Sequence, residues 1–145
     1  MTQSTSTPAQ LATRLVTTFG DPENMAAALA EDVTWWESPS APPEIMASVS
    51  TGRDTVRGNM QRVFSLIYNG STVNTTVHHA ISQENMGVVR FTMTAEFPNG
   101  ADYENEYTVW VEIRDSEIVK VWEYVDAAWT LAQMQSAGIE LPSLG

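Results

Sequence analysis

The chain has 145 residues, a length that fits one domain and is sufficient for a hydrophobic core. Hydrophobic residues make up 43% of it, which excludes wholesale disorder, and the formal net charge of −11 argues against nucleic acids and anionic membranes as partners. Cysteine is absent, which excludes disulfides, thiol nucleophiles and cysteine-based metal sites.

Targeting and membrane segments are not recognisable in the sequence. The stretch Met1 to Thr7 has neither the basic nor the apolar region of a secretory signal peptide. No apolar stretch approaches the ~20 residues that a membrane-spanning helix needs. We therefore expect a cytoplasmic protein that does not bind a membrane.

Three helices are predicted in the first half of the chain. Thr7-Pro8-Ala9-Gln10 combines an N-cap, a first-turn proline and a capping-box glutamine, and the helix should end at Gly20. A second, shorter helix is predicted from Asp21-Pro22 to about residue 30, and a third over residues 52–68. Residues 38–51 between them carry three prolines and are predicted to form a long loop. Such a loop is either a lid over a pocket or a variable surface segment.

Strands are predicted through the second half of the chain. A short strand at 33–37 precedes them, and alternating residues predict four more at about 71–81, 86–97, 102–113 and 117–125. Short turns between these four indicate an antiparallel meander, and a last helix is predicted at 127–137. Helices followed by a meander indicate an α+β fold, taken as a single domain over residues 1–145. A strongly twisted sheet packed against helices leaves an open end that is a natural apolar pocket.

Two glutamates are predicted to have apolar neighbours. Glu37 ends the first strand and shares its face with Trp35, whereas Glu123 shares a strand face with three valines, Val119, Val121 and Val125. Burial disfavours a charged carboxylate and raises its pKa, which suits a general acid or base near neutral pH. The alternative is structural: Glu37 is a polar strand end, and Glu123 pairs with an arginine or reaches solvent.

On the predicted strands of the meander, the basic residues apart from the histidines are Arg90 and Lys120. Arg90 lies on a mixed strand face that is either solvated or lines a polar cavity. We expect it to pair with Glu37 or Glu123, either for structure alone or to position a catalytic carboxylate. His79 shares a face with apolar residues and is predicted at the edge of the core. With two histidines and no cysteine, no metal site is expected.

Four segments carry a recognisable family pattern. They are Ala30-Glu-Asp-Val-Thr-Trp-Trp-Glu-Ser-Pro, Thr51-Gly-Arg-Asp-Thr-Val-Arg, Tyr103-Glu-Asn-Glu-Tyr and Glu117-Ile-Val-Lys-Val-Trp-Glu-Tyr-Val-Asp. In this order and spacing they resemble the SnoaL-like branch of the NTF2-like superfamily, which includes ketosteroid isomerases, polyketide cyclases and limonene-1,2-epoxide hydrolases.

The resemblance implies a cone-shaped fold and a class of chemistry. A strongly curved, mainly antiparallel sheet is expected to wrap around three N-terminal helices, with a short C-terminal helix. The resemblance also implies a cofactor-independent enzyme with a deep apolar pocket that works by acid–base chemistry, often as a homodimer. The exposed side of the sheet around Trp110 is the predicted dimer face.

Site positions follow from the resemblance residue by residue. Glu37 matches the general base that ketosteroid-isomerase-like members carry just before a proline after the first strand. Polyketide-cyclase-like members place an acid near the end of the last strand, which Glu123 or Asp126 would supply. The alternative for Asp126 is a helix N-cap.

Epoxide-hydrolase-like members use an Arg-x-Asp on one strand, an acid on the last strand and a Tyr-x-Asn pair. The matching positions here are Arg90-Phe91-Thr92, Glu123 and Trp35-Trp36-Glu37. The arginine is present and the last-strand acid is a glutamate. However, threonine replaces the aspartate of Arg-x-Asp, and Trp-x-Glu replaces Tyr-x-Asn. The proton donor to the epoxide is therefore missing from this pattern.

The predicted activity is proton transfer at carbon on a small, apolar polyketide-, steroid- or terpenoid-like substrate, as an isomerase, cyclase or lyase. Glu37 or Glu123 would be the general base. Arg90 would hold the other carboxylate or an enolate oxygen, to which Tyr107 would donate a hydrogen bond. The predicted substrate contacts are Trp35, Met46, Thr92, Asn105, Val109 and Val121. The alternatives are an epoxide hydrolase in which the two glutamates share the water and proton roles, and a small-molecule-binding protein without catalysis.

Overall fold

A computed structural model describes residues 6–142, which form four α-helices and six β-strands. The helices are α1 (Pro8–Thr17), α2 (Pro22–Ala27), α3 (Arg53–Arg62) and α4 (Ala127–Ser136). The strands are β1 (Leu29–Glu37), β2 (Val49–Thr51), β3 (Asn69–Gln83), β4 (Met86–Glu96), β5 (Asp102–Arg114) and β6 (Glu117–Val125). One π-helical turn, Val63–Ile67, continues α3. The predicted single domain also covered residues 1–5 and 143–145, which lie outside the described residues.

Helix α1 begins at the predicted capping box and ends at Thr17, three residues before the predicted stop at Gly20. The Thr7 hydroxyl accepts from the Gln10 amide at 3.1 Å, and the Gln10 side chain accepts from the Thr7 amide at 2.8 Å. The chain turns away at Gly20, whose φ of 98° lies in the left-handed region. A Cβ there would meet the carbonyl oxygen of Gly70 at 2.6 Å, so the turn needs glycine.

Several element boundaries differ from the sequence prediction. Helix α2 ends at Ala27, and strand β1 begins at Leu29, four residues earlier than expected, because Leu29 pairs with Ile118 and is buried. The predicted third helix changes to a π-helical turn after Arg62. Residues 49–51 of the predicted loop form β2, which pairs antiparallel with β1.

The six strands form one sheet in the order β2-β1-β6-β5-β4-β3. Strands β1 and β6 run parallel, and every other neighbouring pair in the sheet is antiparallel. Helix α1 packs across β3, β4 and β5, and α3 packs on β1. The core lies between the helices and this inner face of the sheet. The predicted α+β fold with a mainly antiparallel sheet around N-terminal helices and a short C-terminal helix is confirmed.

The outer face of the sheet carries exposed aromatic residues. Trp110 is 41% and Tyr124 is 46% exposed, and the ring of Trp36 lies 5.1 Å from that of Tyr124. The two histidines of β3 are also exposed, so the predicted core-edge position of His79 is wrong. The register between β3 and β4 shifts between Val77 and His79, which breaks the alternation on which that prediction depended.

Within residues 6–142, none of the helices has the length and the apolar character required to cross a lipid bilayer.

Candidate active site

The pairing of β1 with β6 brings Glu37 and Glu123 side by side. The two strands are parallel, and the register places Glu37 opposite Glu123, two residues beyond the pair Trp35–Val121. Paired residues of neighbouring strands point to the same face, and neighbouring strands lie about 4.8 Å apart. Both glutamates point to the inner face, where Glu37 is 4% and Glu123 is 9% exposed. The two carboxyl groups are close enough for each to change the pKa of the other.

The pair forms part of the wall of an internal cavity of about 60 Å³. The polar side chains that reach it are Glu37, Glu123, Tyr68, Tyr107 and Thr130. The rest of the wall is apolar: Phe19, Ala41, Pro42, Ile45, Met46, Met60, Val63, Phe64, Met93, Val125 and Ala127. Within the described part of the chain, no aspartate, lysine, arginine or histidine lines it.

Burial raises the pKa of both glutamates, so the pair can donate or accept a proton near neutral pH. Desolvation raises the pKa of Glu37 well above its ordinary value of 4.5, and the neighbouring charge of Glu123 raises it further. Desolvation raises the pKa of Glu123 to about 7, although the neighbouring Glu37 carboxyl group and Trp35 indole lower it. Two interacting carboxyl groups lose their protons in two steps that belong to the pair, and the first of these falls near neutral pH.

The indole of Trp35 faces the pair from within the core. Trp35 is fully buried, and its Nε1 has no acceptor at hydrogen-bonding geometry. It is nevertheless close enough to both carboxyl groups to lower the pKa of each. A buried N–H without a partner costs about 1–3 kcal/mol. This donor is therefore expected to gain an acceptor when a carboxyl group ionises and turns toward it.

Three buried tyrosines and a threonine form a hydroxyl network on the other side of the cavity. The hydroxyl of Tyr103 lies 2.6 Å from that of Tyr107 and 2.8 Å from Thr130 Oγ1. The ring of Tyr68 packs against that of Tyr103, with a distance of 4.8 Å between the ring centres. Burial is the main cause that raises the pKa of Tyr68 and of Tyr107 well above 10. Both hydroxyls therefore stay protonated and are available as hydrogen-bond donors.

The 38–48 segment covers the pair from the solvent side. Four of its residues line the cavity, Ala41, Pro42, Ile45 and Met46. The Glu37 amide donates to the Ser48 carbonyl at 2.8 Å, and Arg62 Nη1 donates to the Ile45 carbonyl at 3.2 Å. The segment has neither helix nor strand structure, so few backbone bonds hold it in place.

The structure brings four of the ten predicted site residues to the cavity surface: Glu37, Glu123, Tyr107 and Met46. Three more, Trp35, Val109 and Val121, are fully buried behind the wall and do not line the cavity. Asn105 is buried too, and its amide donates to the Asp126 carbonyl at 2.9 Å and to Thr130 Oγ1 at 3.1 Å. Asn105 thus holds α4 against the sheet and supports Thr130.

Arg90 and Thr92 lie on the outer face, away from the cavity. The expected pairing of Arg90 with Glu37 or Glu123 is wrong, because its guanidinium binds Glu106 at 2.6 Å. The Thr92 hydroxyl lies 2.7 Å from His78 Nε2 on the same outer side. Alternation along β4 keeps both residues opposite to the buried Phe91. Asp126 caps α4 by accepting from the Trp129 amide at 3.1 Å, as the N-cap interpretation predicted.

Sequence analysis missed the aromatic half of the site. Tyr68, Tyr103, Phe64 and Thr130 all belong to the cavity wall or to its hydroxyl network. Tyr103 had a signal, because it shares a strand face with Tyr107 at i and i+4. The orientation of Phe64 and Tyr68 depends on the π-helical turn. Such turns are frequent at functional sites but have no simple sequence signature.

Metal binding has no obvious place in this arrangement. Among residues 6–142, no group of three histidine, aspartate or glutamate side chains is close enough to hold an ion. The site combines a pair of buried carboxyl groups, a set of hydroxyl donors and a largely apolar space.

Comparison with known families identifies the fold family. The model of the SnoaL-like domain matches residues 13–121. This chain belongs to the SnoaL-like family. The match spans most of the sheet, including β1 and the first half of β6, and thus Glu37 and the strand that carries Glu123. No curated protein sequence matches this SnoaL-like chain.

Solved structures agree with the SnoaL-like assignment at the level of the fold. An NTF2-like protein from Burkholderia thailandensis has 17% identity and a TM-score of 0.74, over 90% of this chain and 98% of that one. TerC, co-crystallised with polyporic acid, has 14% identity and a TM-score of 0.76, over 89% of this chain and 99% of TerC. A ketosteroid isomerase-like protein from Catenulispora acidiphila, in complex with trimethylamine, has 17% identity and a TM-score of 0.72, over 97% and 100%.

Proposed function

We propose that this SnoaL-like protein is an enzyme that moves a proton at carbon on a small apolar substrate, as an isomerase, cyclase or lyase. One observation carries the proposal: two buried carboxyl groups lie side by side at the wall of a largely apolar cavity. Desolvated acids with raised pKa values are costly to keep in a core. They are typical of groups used for general acid–base catalysis.

We assign different roles to the two acids of the pair. Glu123, whose pKa burial raises to about 7, takes a proton from a carbon next to a carbonyl group. Glu37, whose pKa burial raises well above its ordinary value, supplies a proton to a second atom of the substrate. The proton that Glu123 gains then passes to Glu37, which restores the pair. The family pattern suggests Glu37 as the base, whereas we assign that role to Glu123.

The hydroxyl network supplies the electrophilic side of the reaction. Removal of a proton next to a carbonyl leaves negative charge on the carbonyl oxygen. A preorganised donor in a site without bulk water stabilises that charge strongly. Tyr107 lines the cavity and receives a hydrogen bond from, or donates one to, Tyr103 at 2.6 Å. We assign Tyr107 as the donor to the enolate oxygen, with Tyr68 beside it.

The size of the cavity limits which molecules fit while the 38–48 segment stays in place. The volume of about 60 Å³ holds the reacting end of a substrate but is below the ~150 Å³ that admits benzene. A polyketide-, steroid- or terpenoid-like molecule therefore requires displacement of the 38–48 segment. Two related folds hold small organic molecules, polyporic acid in TerC and trimethylamine in the Catenulispora protein, which supports a substrate of this general kind.

The deciding experiment measures hydrogen exchange at carbon. The protein is incubated in D₂O with ketones of increasing size, from acyclic compounds to fused rings, and deuterium next to the carbonyl is followed by NMR. We expect exchange above the buffer rate, with a rate that rises as the pair ionises through pH 7. No exchange with any ketone, together with saturable binding of the same compounds, would favour a binding protein without catalysis.

Epoxide hydrolysis is a second candidate because the pair combines an ionised and a protonated carboxyl group. Glu123 would take a proton from water, the water oxygen would attack an epoxide carbon, and Glu37 would protonate the opening oxygen. This replaces the proton donor that the family pattern lacks at Thr92. Formation of diols from an epoxide panel, without exchange in the ketones, would select this reaction.

We also propose that two copies of the chain associate through the outer face of the sheet. A groove of about 570 Å³ there is lined by Met86, Thr108, Trp110, Trp122 and Tyr124. Its two ends each carry an acid and a base, Glu106 with Arg90 and Glu112 with Lys120. A second copy turned by 180° can therefore present opposite charges at both ends.

Sedimentation equilibrium is expected to give a mass of twice the 16.0 kDa of one chain. Trp110→Glu should reduce the mass to that of a single chain, because a buried charge without a partner destabilises an interface. Leu66→Glu is the matched control, since Leu66 is also exposed but lies on the π-helical turn. A single-chain mass for the unmodified protein at micromolar concentration would exclude this association.

A further inference from the structure

Among the predicted site residues, Trp35 has a fully buried polar side-chain atom without a hydrogen-bond partner. Its indole is fully buried, and Nε1 has no acceptor at hydrogen-bonding geometry. The ring is held on both sides by the core, with Phe19 at 6.3 Å and Val121 as its strand neighbour. A phenylalanine would fill much of this space without leaving an unpaired N–H. The indole N–H therefore calls for an explanation beyond packing.

The position of Trp35 supplies that explanation. It precedes Glu37 by two residues on β1, so both side chains lie on the same inner face. Glu123 lies opposite Glu37 on β6, and the indole faces both carboxyl groups. When both carboxyl groups are protonated, each can donate a hydrogen bond to the other. When one proton leaves, a carboxylate oxygen becomes free to accept from Nε1.

We infer that the Trp35 N–H is a hydrogen-bond donor reserved for the ionised Glu37–Glu123 pair and that it positions the base for proton abstraction. This inference deepens the proposed function and depends on it only for the kinetic consequence. A donor to the charged form favours that form, because hydrogen bonds to charged groups are stronger than neutral ones. Trp35 thus offsets part of the desolvation that would otherwise keep both acids protonated at pH 7.

No other group around the pair, among the described residues, donates to it from the core side. The titratable neighbours at the cavity are Tyr107 from β5 and Tyr68 after the π-helical turn, and the charge of Glu123 raises the pKa of both. Helices α3 and α4, the 38–48 segment, strand β4 and Phe19 after α1 contribute no charged side chain to the cavity lining within residues 6–142. In the described part of the chain, Trp35 is thus the donor that approaches the pair from the core side.

The test is a titration of the carboxyl groups that does not require turnover. Protein labelled with ¹³C at the glutamate carboxyl carbons is followed by NMR between pH 4 and 10, for the unmodified chain and for Trp35→Phe. We expect the lower apparent pKa of the pair to rise by about one unit in the variant. Trp36→Phe is the matched control, because Trp36 lies on the outer face of the same strand and should leave the titration unchanged.

A second substitution separates the hydrogen bond from packing. Site-specific incorporation of 3-benzothienylalanine at position 35 replaces the N–H by sulfur and preserves the ring shape, so it should reproduce the shift without loss of stability. Titration curves that overlay those of the unmodified protein in both folded variants would overturn the inference. A shift in the NMR titration without any detectable turnover would leave the inference intact and count against the proposed function. Exchange at carbon together with unshifted titration curves would overturn the inference and leave the proposed function intact.

Discussion

Glu123→Gln is expected to lower kcat/KM for hydrogen exchange by about 10²–10⁴-fold, the usual contribution of a positioned acid or base. Glutamine keeps the size of the side chain and its hydrogen-bonding capacity toward Glu37, but it cannot accept the proton from carbon. Glu37 alone is a poor replacement. Its burial still holds its pKa high, although loss of the neighbouring charge lowers that pKa relative to the unmodified protein. The measurement is the initial rate of deuterium incorporation across pH 5–9.

Glu106→Gln is the control for this variant. Glu106 is exposed on the outer face and pairs with Arg90, so its loss should leave the exchange rate within twofold of the original. Glu37→Gln should also reduce the rate strongly, because it removes the proton that the pair supplies. Near-normal rates in both Glu37→Gln and Glu123→Gln would remove the pair from the mechanism, whatever the reaction.

The free energy of unfolding is expected to fall as pH rises from about 4.5 to 7. The unfolded chain ionises Glu123 near the ordinary value of 4.5, whereas the folded chain does so only near 7. The unfolded state therefore binds fewer protons in this window, and the slope of stability against pH is negative. The expected loss for Glu123 is about 3 kcal/mol, since one pKa unit corresponds to about 1.4 kcal/mol. Burial also raises the pKa of Glu37 above its ordinary value, so Glu37 adds to the decline.

Urea unfolding at pH 5, 7 and 9 measures this decline. The double variant Glu37→Gln/Glu123→Gln should have a nearly flat profile over the same range and should be more stable than the original at pH 9. The exposed ion pair between Asp32 and Arg114 does not interfere. The hydrogen bond from Arg114 lowers the pKa of Asp32 from 3.8, so its contribution changes only at more acidic pH. A profile that rises between pH 5 and 7 would contradict the burial of the pair.

Much of the fold could be predicted because its signals are local. The capping box at Thr7 and Gln10, the glycine stop at Gly20 and the alternation of the meander each depend on neighbours within a few residues. The missed strand Val49–Thr51 exists only because it pairs with β1, which is a non-local condition. The π-helical turn after Arg62 could not be predicted either, because its sequence is compatible with an ordinary helix.

The candidate site divides in the same way. An acid in a row of valines indicated burial of Glu123, because alternation along a strand is a local property. Alternation defines two faces without saying which one is inside, and for that reason Arg90 and Thr92 were expected at the cavity, whereas both lie on the outer face. The hydroxyl network depends on α4 packing against β5, so Thr130 had no signal in the sequence.

The sequence by itself determined most of the element types, the family and the presence of two acids with apolar neighbours, since each follows from spacing along the chain. Only the tertiary structure decided that these acids form a pair. Glu37 and Glu123 are far apart in the chain, and the parallel register of β1 with β6 places them in adjacent positions of the sheet. A shift of that register by one residue would turn one carboxyl group to the outer face and into water. The pairing of the two carboxyl groups is therefore a consequence of the strand register, which depends on the whole core.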